Sequence, residues 1–126
     1  MFNQDKYIPV VWVKGGRVYP FLDCFGVVNE IRHDLGMEKL PDFAGVTKDN
    51  NGLDREARNY IKKLTSCSPE NGALALCYSG SIVTHVAIVI DANEGIIVAE
   101  SNPKTNVTFI SLSRFIKRFV RVEFYK

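Results

Sequence analysis

The chain has 126 residues, 46% apolar and 24% charged, the make-up of one globular domain spanning residues 1–126, with no repeat or low-complexity tract to divide it. A net charge of +2 gives nucleic-acid binding no electrostatic basis, and no stretch approaches the ~20 apolar residues of a membrane span. The start, "MFNQDKYIPVVWV", lacks a basic region followed by a long apolar one, so a soluble protein made in the cytoplasm without a signal peptide is expected.

The elements follow in chain order. "YIPVVWV" is β-like and is broken by Gly15-Gly16. From Cys24, the residues Val27, Val28, Ile31 and Leu35 recur at helical spacing, with Asp23 suited to the N-cap and Gly36 to the left-handed residue past the end. "LPDFAGVTKDNNG" is a loop, and Leu53, Ala57, Tyr60, Ile61 and Leu64 mark a second helix over about 53–64. "CSPENG" is a turn, and strands follow at "ALALCY", "VTHVAIVI", "GIIVAES", "NVTFISL" and "FVRVEFY", with a helical turn at "SRFIKR". Helices first and an antiparallel sheet of about five strands afterwards make an α+β domain. The basic residues of "SRFIKRFVRVEFYK" read as the solvated face of a terminal element.

Three cysteines, Cys24, Cys67 and Cys77, have no CxxC spacing, although a Cys67–Cys77 pair stays open. With His33 and His85 they lack the close ligand pairs that nucleate zinc sites, so no metal and no cofactor is expected. Cys77 reads as a small core residue, and Cys67 as a loop thiol. Cys24 differs because it opens a helix, where unpaired backbone N–H groups and the positive end of the macrodipole favour thiolate and can hold an oxyanion.

Such a nucleophile needs a base. His33 is nine residues along the same helix, ~13 Å up its axis, and cannot reach Cys24. His85 remains, interrupting a strand of strong β-formers. Pairing Ile90 with Gly95 across "DANE" puts Ile88 opposite Ile97 and His85 opposite Glu100, which breaks its own apolar strand. A carboxylate there fixes the ring's tautomer and stabilises the imidazolium, and Asn102, on the same face, is the substitute orienter.

"DCFGVV" resembles the nucleophile motif of the NlpC-type peptidoglycan cysteine peptidases, papain-like enzymes, in the Asp-Cys-aromatic-Gly form of many phage members. "SPENGALALCYSGSIVTHVAIVI" resembles that family's following block, a turn, a hydrophobic strand and a histidine strand. The resemblance runs from about Gly15 to Ser101 and is specific at these two motifs. It implies a papain-like fold and a hydrolase that cleaves amide bonds in cell-wall stem peptides, with Cys24 as nucleophile, His85 as base and Glu100 or Asn102 as the third residue. It further implies that Asp23 helps bind the substrate's free amine, and that Trp12 or Tyr19 occupies the place of a family tyrosine pointing at the oxyanion. Phe25, on the first turn but off the core stripe, is expected to line the cleft beside Cys24.

The departures are Phe25 for a serine, Ala73 for an aspartate, Ala87 for a strand glycine and Glu100 for the family's usual histidine. They bear on substrate choice more than on the nucleophile. A second class stays open: a phage tail or assembly component with the same fold and little or no catalysis. The absence of a signal peptide and of wall-binding repeats suits a virion-associated or delivered protein in either class. Acyl transfer to or from lipid is disfavoured, since the related folds that perform it place His before Cys.

Overall fold

A computed structural model describes residues 2–126. Two helices precede a five-stranded antiparallel sheet, as the α+β reading expects. Helix α1 spans Cys24–Asp34 and α2 spans Gly52–Tyr60. The sheet comprises β3 (Leu74–Ser79), β4 (Ile82–Ala92), β5 (Gly95–Asn102), β6 (Asn106–Ser111) and β7 (Arg121–Tyr125), in the order β6-β5-β4-β3-β7. A two-stranded ribbon, β1 (Arg17–Val18) and β2 (Phe21–Leu22), leads into α1, and a short α3 (Leu112–Ile116) joins β6 to β7. Among the described residues, no helix is long and apolar enough to cross a membrane.

The sheet is covered on both faces. Val27, Val28 and Ile31 of α1 and Leu53 of α2 share a core with Leu74, Leu76, Val86 and Ile88. Phe115 of α3 covers Ala75, Cys77, Ala87 and Val98 on the other side. That is why "ALALCY" shows no polar alternation: each residue from Leu74 to Tyr78 is buried.

The boundaries of α1 follow its capping chemistry. The Asp23 side chain accepts from the Phe25 and Gly26 N–H groups, and Gly36 takes a φ of 76° past the end of α1. The second helix is shorter than its apolar stripe. It ends at Tyr60, a 3-10 turn continues over Ile61–Lys63, and Leu64 is already extended.

"YIPVVWV" is not a strand. A 3-10 turn covers Gln4–Tyr7, and the rest makes one bridge, Val11 to Phe21. Tyr7 and Val10 are buried while Ile8, Val11 and Val13 are exposed, a turn-like spacing that β-propensity does not encode, and Pro9 lacks a ladder donor.

The β4–β5 register is corrected by two residues. Ala92, not Ile90, pairs with Gly95, so Ile88 faces Ala99 and the hairpin turn shrinks to Asn93-Glu94. Gly95 takes a φ of 130° directly after the turn, and Asn71 Oδ1 holds the Asp91 N–H at 2.8 Å as β4 runs on. An even shift preserves the face on which each side chain stands.

Candidate active site

Cys24 stands in the first turn of α1, and that turn is pinned from three directions. Gly26 lies so close to the ribbon that a Cβ would collide with the Gly16 carbonyl oxygen. Ser101 Oγ, at the end of β5, donates to the Leu22 carbonyl at 2.9 Å. Asp23 accepts the first-turn N–H groups through Oδ1, at 3.1 Å from Phe25 and 2.8 Å from Gly26. Cys24 is buried at its base and lines a cleft of about 290 Å³.

His85 projects from β4 directly after an irregularity in the β3–β4 ladder, where Thr84 is the extra residue between the Val83–Tyr78 and His85–Cys77 pairs. Bulges of this kind re-aim a side chain. Its Nε2 lies 2.9 Å from Glu100 Oε1, and Glu100 is fully buried. The register shift thus turns the expected direct pair into a diagonal one on the same face. Asn102, the alternative orienter, donates its Nδ2 to Glu100 Oε1 at 3.1 Å. Both candidates for the third position therefore lie in one hydrogen-bonded series, His85–Glu100–Asn102.

The hydrogen-bond pattern sets the tautomer. An ionised Glu100 only accepts, so His85 Nε2 carries the hydrogen and Nδ1 is left with the lone pair. Nδ1 is buried and, among the described residues, has no hydrogen-bond partner. Burial pushes the imidazole pKa down, but Cys24 and Glu100 together outweigh it and the net shift is upward. Burial likewise disfavours the Glu100 carboxylate, yet His85, Arg118 and Asn102 outweigh it and bring its pKa down to about 2.

All three cysteines are free, which closes the Cys67–Cys77 alternative. Burial, with Glu70 beside Cys67 and Glu100 near Cys77, pushes both of those thiols up. Neither has Cys24's combination of helix start, cleft and adjoining base.

Four residues were expected around the substrate, and the structure sorts them. Trp12 and Phe25 line the cleft, and the Phe25 ring packs edge-on to Phe43 at 5.4 Å. Tyr19 does not: its hydroxyl donates to the Lys6 carbonyl at 2.6 Å, and its ring packs on Tyr7. Proximity to Cys24 in sequence misplaces it because the ribbon turns it to the far side. Asp23 borders the cleft, but its carboxylate is engaged by the helix cap and by Arg17 Nη1, 2.7 Å from both oxygens. An incoming amine meets a carboxylate already neutralised.

Three side chains around this cleft and pair escape a sequence reading. Arg17 clamps Asp23 and donates to the Asp42 and Val46 carbonyls at 2.6 and 2.9 Å, fixing the loop that forms the cleft wall. Lys48 lines the cleft and, among the described residues, has no carboxylate partner, whereas Lys14 is paired with Asp49. Arg118 caps Glu100, so the terminal basic segment is not purely a solvated face. A single arginine at 118 gave no periodic or motif signal to find it by.

Neither a protein-family model nor a curated protein sequence matches the chain.

Proposed function

We propose that this protein is a papain-like cysteine hydrolase that cleaves amide bonds in peptidoglycan stem peptides. The reading is carried by His85, whose Nε2 is locked on Glu100 while its buried Nδ1 is left unpartnered beside Cys24. Cys24 and His85 are then nucleophile and base, and Glu100 orients the ring and balances the imidazolium. The thiolate attacks the carbonyl carbon, and the proton taken by Nδ1 passes to the leaving amine. Water then attacks the thioester, releasing the carboxylate product and restoring the thiol.

The oxyanion donors differ from a bare helix start. The Phe25 and Gly26 N–H groups are occupied by Asp23, which leaves the Cys24 N–H as the first-turn donor without a partner among the described residues. The Trp12 indole lines the same cleft and offers a second N–H. For the substrate, the paired state of Asp23 and the unpaired Lys48 favour a peptide with a carboxylate near the scissile bond, a feature of stem peptides.

The test is incubation with purified muropeptides and mass analysis of the products. Cleavage is expected from the unmodified protein and lost in Cys24→Ala and His85→Ala, with melting curves unchanged enough to show folded protein. Glu100→Gln is expected to retain part of the activity, since an amide still orients the ring. A phage tail or assembly component is the second reading, and the exposed Val18 and Phe21 of the ribbon, with exposed Val11 bridged to Phe21, favour it. That reading takes over if no muropeptide is cut although Cys24 is alkylated selectively by iodoacetamide.

A further inference from the structure

We propose that Arg118 is a positioning residue of the active site, holding Glu100 in place and ionised so that it can orient His85. The inference rests on the hydrolase reading for its catalytic meaning, but its geometry stands apart from any substrate.

Glu100 is fully buried, and a buried carboxylate without full pairing takes up a proton or moves. Its Oε1 accepts from His85 Nε2, from Asn102 Nδ2 and from Arg118 Nη2 at 3.2 Å, and its Oε2 accepts from Arg118 Nη1. Among the described residues, Arg118 therefore supplies the only hydrogen bond to Oε2 and the only permanent positive charge on the carboxylate. His85 cannot do this itself, since its charge comes and goes during the proposed reaction.

The guanidinium is held by packing as well as by charge. Its centre lies 5.1 Å from the Phe119 ring and 5.8 Å from the Phe115 ring. Phe119 stacks on the His85 imidazole at 6.0 Å with an interplanar angle of 16°, and Phe115 beneath is fully buried. One residue thus braces both members of the pair, Glu100 directly and His85 through Phe119. The other ionisable groups facing the pair are Cys24 from α1, Lys48 from the cleft wall and Cys77, which pairs with His85 across β3, and among the described residues none of them hydrogen-bonds Glu100.

A role confined to surface packing would leave the proton chemistry alone, so the test reads that chemistry. The Glu100 carboxyl carbon and the His85 ring nitrogens are followed by NMR across pH in the unmodified protein, Arg118→Met and Arg118→Lys. In Arg118→Met the Glu100 midpoint should rise by about 1–3 pH units, and the acid limb of Cys24 alkylation should move up with it. Arg118→Lys retains the charge without the two-pronged fork and should recover part of the shift, which also covers the case in which the methionine variant folds poorly. An unchanged Glu100 midpoint in Arg118→Met would overturn the proposal. If the midpoint moves while no muropeptide is cleaved by the unmodified protein, the positioning role stands and the hydrolase reading fails.

Discussion

Asp23 shows how one side chain can carry two competing roles that only coordinates separate. The family resemblance points to recognition of a substrate amine, yet the carboxylate accepts two backbone N–H groups and is gripped by Arg17, both partners being nearly buried. Removing it should therefore harm the fold before it harms recognition. Asp23→Ala strips the cap and leaves Arg17 unpaired, an expected loss of about 3 kcal/mol measurable by urea denaturation. Asp23→Asn keeps a capping oxygen, and its KM should change equally for stems with free and with blocked amino termini. A rise confined to free-amine stems would return Asp23 to substrate binding. The unpaired Lys48 is the better candidate for a charged contact: Lys48→Met should raise KM by roughly 2–5-fold, the small value reflecting its exposure.

At the scale of elements, the helix that presents Cys24 depends on a glycine in an unusual way. Gly26 is helical and not left-handed, so alanine there would ordinarily favour the helix by about 1 kcal/mol. The Gly16 carbonyl oxygen occupies the space its Cβ needs, and backbone cannot swing aside as a side chain can. Gly26→Ala should thus destabilise by about 1–3 kcal/mol and lift α1 from the ribbon. The check is thermal melting together with the rate of Cys24 alkylation, and a stabilised variant would show that the contact yields. The elements themselves were legible where local chemistry decides them. The α1 stripe, the Asp23 cap, Gly36 and all five long strands are set by periodicity and turn residues close in sequence. The β4–β5 register was not, because extending β4 by two residues depends on Asn71, twenty positions away. Glu100 stays legible across that difference only because an even slip keeps the face. Arg118 and Arg17 were illegible for a related reason: a lone basic residue declares its partner only after the chain has folded around it.

For the whole molecule, the Cys24–His85–Glu100 chain links three separate parts of the fold, so its ionisation should register in global stability. Glu100 has a folded pKa of about 2 against an ordinary 4.5, so its contribution is present above about 4.5 and is lost as pH falls towards 2. His85 is shifted the other way, above its ordinary 6.5, so its contribution is complete below 6.5 and is lost as pH rises through the raised folded value. The two windows overlap between about 4.5 and 6.5, where a charged imidazole faces a charged carboxylate, and the melting temperature should be highest there. The acid limb is shared, since at Asp54 and Glu123 burial disfavours the charged form but is outweighed by hydrogen bonds from Val83 and Arg58 and from Tyr78, Arg121 and Tyr125, which hold both below their ordinary range. Glu100→Gln should therefore shrink the acid limb without abolishing it. It should shrink the alkaline limb as well, because Glu100 is one of the two groups that raise His85. Cys24→Ala removes the other and should act on the alkaline limb alone. Melting curves of the three proteins across pH 3–9 make the comparison; an alkaline limb unchanged in both variants would mean that His85 is not coupled to Cys24 and Glu100 in the folded protein, and the arrangement on which the proposed chemistry depends would be lost with it.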